Sequence, residues 1–171
     1  RIAYSAWRGG KVIYTMIGAG EDTVSLPRRL VTGSSPRWSP DGTRIAFWSR
    51  HDGKAGIYTM NPNGQNVRQG TSDPANDYCN SWSPDSRRIL FTSWRDGNSE
   101  IYAVDADGFN TTRLTTHSAG DYSPRWSIDG RIVFASDRDG DFDIYSMDSN
   151  GSDLIQHTDS PSHDSAPTWF P

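Results

Sequence analysis

A chain of 171 residues is long enough to bury well over half of its unfolded surface in a single domain. Its apolar fraction of 33% is low for one thick core, but aromatics at 12%, with seven Trp, supply large buried area per residue and fit many thin sheets with aromatic anchors. A net charge of −4 argues against a nucleic-acid surface, no apolar run approaches the roughly 18 residues of a membrane span, and the single Cys79 excludes an intrachain disulfide.

The first stretch, Arg1-Ile2-Ala3-Tyr4-Ser5, has counterparts in Arg44-Ile45-Ala46-Phe47-Trp48, Arg88-Ile89-Leu90-Phe91-Thr92 and Arg131-Ile132-Val133-Phe134-Ala135. Each alternates with the period of two expected of a strand. About a dozen residues further on, Ile13-Tyr14, Ile57-Tyr58, Ile101-Tyr102 and Ile144-Tyr145 mark a second set of strands. Between the two sets lie Gly9-Gly10, Asp52-Gly53, Asp96-Gly97 and Asp139-Gly140, dipeptides that accept the positive φ of tight hairpins. Asn63-Gly64, Asp107-Gly108 and Asn150-Gly151 then lead into short strands expected to end near Leu30, Gln69, Leu114 and Ile155. The first unit departs here with a looser loop from Ile17 to Asp22.

Ahead of each alternating strand stands a Trp box: Pro36-Arg37-Trp38-Ser39-Pro40-Asp41-Gly42, Asn80-Ser81-Trp82-Ser83-Pro84-Asp85-Ser86, Pro124-Arg125-Trp126-Ser127-Ile128-Asp129-Gly130, and last Pro167-Thr168-Trp169-Phe170-Pro171. Trp38, Trp82, Trp126 and Trp169 are 44, 44 and 43 residues apart. Four strands per unit of this period, joined by turns too short for crossover helices, predict β-propeller blades. The expected fold is all-β, with four four-stranded antiparallel blades over residues 1–33 plus 165–171, 34–77, 78–121 and 122–164. The C-terminal strand is expected to complete the N-terminal blade, either in cis or in trans with another copy, which covers an open sheet edge.

The box Trp38-Ser39-Pro40-Asp41-Gly42, and the run Phe134-Ala135-Ser136-Asp137-Arg138-Asp139-Gly140 followed by Asp143-Ile144-Tyr145-Ser146-Met147-Asp148, resemble the WD-like repeats of TolB-type β-propellers. The resemblance covers essentially the whole chain. It implies a protein- or peptide-binding propeller of the periplasm or extracellular space, although other members are attached to peptidases or lyases. It also implies six or more blades, where four repeats stand here. Departures are Ser86 for Gly, Ile128 for Pro, and Gly9 for Asp in the first hairpin.

Because successive strands alternate in direction, the hairpins inside blades and the links between blades share one end of the propeller. Asp77, Asp121 and Asp164 each stand five residues before a box Trp and are expected near the channel mouth. Clustered there they would hold a cation or a basic group. The competing reading, favoured because the position recurs, is that each carboxylate accepts bonds from loop N–H groups or an adjacent Arg. The first unit has Gly33 in this place. Trp94 and its counterpart Trp7 lie in hairpins, where the indoles either pack against the next blade or, if exposed beside carboxylates, suit a sugar or a peptide with basic and apolar groups. Arg95, Tyr78, Tyr122, His117 and His163 complete the candidate surface.

Catalytic signals are poor: there is no Gly-x-Ser-x-Gly elbow and no zinc spacing among the His residues. Asp137, Asp139 and Asp141 resemble a calcium loop, but the Gly is misplaced and the closing Glu is missing, so calcium is a weak candidate and no cofactor is expected. Asn110 and Asn150 are formal glycosylation acceptors. The leading expectation is a non-enzymatic scaffold for a protein or peptide. Its alternatives are a strand-exchanged oligomer or filament of the chain's own copies, and a carbohydrate-binding or lyase-associated propeller recognising polysaccharide.

Overall fold

A computed structural model describes residues 2–7, 9–17, 22–25, 31–51, 53–72 and 77–169. The described residues form four antiparallel sheets and contain no helix. The first sheet is β1 (Ile2–Trp7), β2 (Lys11–Ile17) and β3 (Asp22–Ser25). The second is β4 (Ser34–Trp38), β5 (Ile45–His51), β6 (Lys54–Met60) and β7 (Arg68–Gln69). The third is β8 (Tyr78–Trp82), β9 (Arg88–Ser93), β10 (Glu100–Asp105) and β11 (Thr112–Arg113). The fourth is β12 (Asp121–Trp126), β13 (Ile132–Ser136), β14 (Asp143–Met147) and β15 (Ile155–Gln156). No helix of the described chain is long and apolar enough to cross a membrane.

Alternation along the second strand of each unit explains how the sheets stack. Side chains on one strand point to opposite faces in turn. In β9, Ile89 and Phe91 pack with Ala46, Ile57 and Trp82 toward the preceding sheet, while Leu90 joins Ile132, Phe134 and Met147 toward the following one. Phe47, Phe91 and Phe134 hold the same repeat position and are all fully buried. Each such burial contributes roughly 1.5–3 kcal/mol. Cys79 lies in the same layer, and burial pushes its thiol up to about 12 despite the opposing pull of Arg37 and Arg125.

The Trp boxes build the entry into each sheet. Ser39 Oγ donates to Asp41 Oδ1 at 2.6 Å and accepts from Arg44 N at 3.0 Å, which closes the turn between β4 and β5. Ser83 and Asp85 repeat this at 2.6 Å, and Ser127 and Asp129 repeat it again. Ser86, the residue in place of Gly, adopts φ 61, so the turn keeps its shape at the cost of a left-handed serine. Trp82 Nε1 donates to the Arg37 carbonyl at 3.0 Å and ties one inner strand to the next.

Two expectations reach beyond the described residues. The outer strand of the first unit was expected to end near Leu30, which lies outside the described residues; the strand that pairs with β2 is Asp22–Ser25. Residues 157–169 carry no strand, and no pairing of the tail with β1 is formed among the described residues; residues 170 and 171 lie outside them.

Candidate functional site

The hairpins within the sheets and the links between them meet at one end of the molecule. Asn98 Nδ2 donates to the carbonyls of His117 and Ala119, both at 2.8 Å. Gly120 N donates to Asp137 Oδ1 at 2.7 Å, and Asp164 N donates to the Phe142 carbonyl at 2.6 Å. Each link is thus fastened to the hairpin of an adjoining strand pair.

Asp77 and Asp121 have no exposed area and face arginines of their own sheets. Arg95 Nη2 holds both oxygens of Asp77, at 3.1 and 3.0 Å, and Arg138 Nη2 holds Asp121 Oδ1 at 2.8 Å. Each guanidinium also bonds a serine, Ser93 at 2.9 Å and Ser136 at 3.0 Å, and lies over a tyrosine ring, Tyr102 at 4.7 Å and Tyr145 at 4.6 Å. A buried carboxylate is tolerated when it is paired in this way. The geometry places these two carboxylates against arginines, the architectural alternative, and away from an open ring of ligands. Asp164 is half-buried at the third position. The unit at 34–77 loses both partners together: His51 stands where Arg95 would be, and a Cβ at Gly33 would lie 2.6 Å from the Trp48 carbonyl oxygen and 2.7 Å from Phe47.

Above these pairs runs a row of rings. Trp94 and Tyr122 meet edge to face with centroids 6.5 Å apart, Tyr122 and Phe142 likewise at 5.5 Å, and Phe142 and His163 in a tilted contact at 5.5 Å. The row crosses from the hairpin after β9, through the start of β12 and the hairpin before β14, to the link after β15. Trp94 is 47% exposed and His163 is exposed, whereas Tyr122 and Phe142 are half-buried. Burial first, then the charges of Asp137 and Asp121, push the Tyr122 phenol upward. Three sequence candidates, Trp94, Tyr122 and His163, are thereby connected through Phe142, which sequence reasoning missed. Its repeat counterpart is Ser99, so only its departure from the repeat could have drawn notice.

The remaining candidates lie at the margins. Tyr78 is 55% exposed at the start of β8. His117 is exposed, accepts from Ala119 N at 3.1 Å, and borders a cleft of about 250 Å³ with Arg138, Met147 and Leu154.

Asp137, Asp139 and Asp141, the weak calcium candidates, do not form one ligand group among the described residues. Asp137 turns to Gly120, and the one cluster of three possible ligands among the described residues is Asp139, Asp143 and Asp159, whose oxygens lie within 4.8 Å of one another. The preceding unit shows what this arrangement is built on. There Arg113 bridges Asp96 at 3.0 Å and Glu100 at 2.8 Å; here neutral Gln156 occupies the arginine's place and donates to Asp139 and Asp143. Burial opposes ionisation of Asp139, yet hydrogen bonds from Tyr145 and Gln156 outweigh it and leave the carboxyl below its ordinary value.

The opposite end carries a larger cleft of about 490 Å³, lined by Asp41, Arg44, Asp85 and Arg87 among others. Part of its charge is bound within the fold: Arg44 bonds the Ala106 carbonyl at 3.2 Å, and the Asp41 and Asp85 carboxylates accept from the box serines.

Comparison with known proteins agrees with this architecture. The family model for PD40, the TolB beta propeller domain, matches residues 1–171. The Tol-Pal system protein TolB of Syntrophus aciditrophicus (strain SB) is 38% identical over 74 residues, which is 40% of this chain and 16% of that protein. The structure of putative TolB from Agrobacterium tumefaciens superposes with a TM-score of 0.75 at 26% identity, over 90% of this chain and 59% of its own. TolB from Acinetobacter baumannii gives 0.76 at 23% identity, over 95% of this chain and 42% of its own, a likeness of fold. The chain thus spans only part of the length of each relative. With its repeats, its stacked antiparallel sheets and a match from end to end, it belongs to the TolB beta propeller domain family.

Proposed function

We propose that this chain is a non-catalytic propeller that binds a protein or peptide through the end bearing Trp94, Tyr122, Phe142 and His163. Tyr78, His117 and Asp164 border the surface, and the Asp77–Arg95 and Asp121–Arg138 pairs hold its loops in place. The observation that carries the reading is the row of ring contacts spanning two hairpins, the start of β12 and the link after β15, open to solvent at Trp94 and His163. Rigid, half-exposed aromatics of this kind dominate the energetics of protein interfaces. Ser146 and His157, 2.8 Å apart, do not suggest a nucleophile, because the serine has no exposed area. A relative named for the Tol-Pal system supports protein partners, and the family resemblance supports a periplasmic or extracellular site of action.

Closure of the first sheet by residues 165–171, in the same copy or another, is a second proposal. Ala166 has φ 55, matching Ser35 at 54 and Ser123 at 53 in the bulges of β4 and β12, a repeat of one backbone angle that supports the reading. Solution mass distinguishes exchange between copies from a monomer.

The recognition reading is tested by affinity capture from an extracytoplasmic extract. The native protein and Ile128→Ala, altered at the opposite end, should retain the same partner, and Trp94→Ala with Tyr122→Ala should lose it. An unchanged partner set for the double variant contradicts the reading.

A further inference from the structure

We infer that the aromatic row takes cationic side chains, foremost arginine, from an extended peptide segment; this rests on the recognition surface proposed above and adds the chemistry of its ligand. Carboxylates accompany the rungs along the chain: Asp121 precedes Tyr122, Asp141 and Asp143 flank Phe142, and Asp164 follows His163. The arginines of this end are already committed, Arg95 to Asp77, Arg138 to Asp121, and Arg113 to Asp96 and Glu100. The negative charge of Asp137, Asp141 and Asp164 is therefore not balanced by these cations.

Two carboxylate oxygens sharpen the argument. Asp121 Oδ2 and Asp141 Oδ2 are shielded from solvent and receive no hydrogen bond. One lies beside Tyr122 in sequence and the other beside Phe142; Asp121 carries Arg138 on its other oxygen, which leaves Asp141 as the carboxylate next to the row with no cation bonded to it. Ring faces attract cations through their quadrupole, and neighbouring carboxylates add Coulomb attraction and accept N–H bonds. A guanidinium suits both, because it stacks flat on a ring and offers five donors in its plane. An anionic chain such as a polyuronate meets the opposite conditions.

The test is fluorescence anisotropy with labelled peptides in which Gly alternates with Arg, with Ser or with Glu, and with labelled oligogalacturonate, each at low and high salt. The arginine peptide should bind about tenfold or more tightly than the serine peptide, and high salt should narrow the gap. Trp94→Ala and Asp141→Asn should each weaken the arginine peptide about tenfold, while Ile128→Ala and Asp129→Asn at the opposite end leave it unchanged. Asp164→Asn provides a further variant should either of the first two melt at lower temperature. Equal affinity for all three peptides ends the cation preference while the surface itself stands. Tighter binding of oligogalacturonate, equal loss from Asp129→Asn, or no binding of the arginine peptide overturns the inference.

Discussion

Arg95 reaches back to Asp77, 18 residues earlier, and holds both carboxylate oxygens while its guanidinium lies 4.7 Å over the Tyr102 ring. One side chain thereby joins the link before β8, the hairpin after β9 and the face of β10. Arg95→Met removes the cation but leaves a carboxylate with no exposed area, and should cost about 3–5 kcal/mol in urea unfolding. Asp77→Asn combined with Arg95→Met should recover a large part of that loss. Equal loss in the single and double variants would show that the pair is not coupled.

The Arg113 and Gln156 positions provide a stability test with a built-in control. Gln156→Arg places a cation between Asp139 and Asp143, as Arg113 sits between Asp96 and Glu100. Thermal unfolding should show a gain of up to about 1 kcal/mol, limited by solvent exposure. The reverse change, Arg113→Gln, should destabilise more, because Glu100 is fully buried. A loss in both variants would contradict the equivalence of the two sites.

Acid should weaken the three box turns together. The hydroxyls of Ser39, Ser83 and Ser127 are the main cause that holds Asp41, Asp85 and Asp129 below the ordinary carboxyl value of 3.8, with backbone N–H groups adding to it. Since the folded carboxyls titrate lower than the unfolded ones, their contribution is complete above 3.8 and is lost as pH falls through the folded values. Urea midpoints followed into this range should fall more steeply for the native protein than for the triple variant Ser39→Ala, Ser83→Ala, Ser127→Ala. Parallel curves would show that the serines do not set the acid response.

The box tryptophans differ despite their identical place in the repeat. Trp82 Nε1 donates to the Arg37 carbonyl, whereas Trp38 Nε1 is buried without an acceptor. Trp82→Phe should therefore cost about 1 kcal/mol more than Trp38→Phe in chemical unfolding, the contribution of one hydrogen bond beyond lost packing. Equal costs would mean that the bond contributes nothing measurable.

These cases also show what a repeat reveals and what it hides. The spacing of Trp38, Trp82 and Trp126 and the Asp-Gly and Asn-Gly turns made the strand order of the three complete sheets legible, because period, alternation and turn chemistry act locally. The looser run from Ile17 to Asp22 was legible as the departure of the first unit, but nothing in it fixed the register of β3 against β2. Local pattern could suggest an adjacent arginine for Asp77 but could not select Arg95, which depends on the register of β8 against β9. Phe142 was lost among the acidic residues of its hairpin, and its value emerges only when Tyr122 and His163 arrive from other segments. Gly33 is explained by a close approach to Trp48 that no linear reading discloses.

Recognition at the aromatic end is tested most directly by placing a photo-cross-linking amino acid at position 94 and, separately, at position 128 of the opposite end. Irradiation with the partner present should give cross-links from position 94 that Tyr122→Ala and Asp141→Asn diminish, and none from position 128. Cross-links from position 128 alone, or equal yields from both ends, would contradict the assignment of function to the row running from Trp94 to His163.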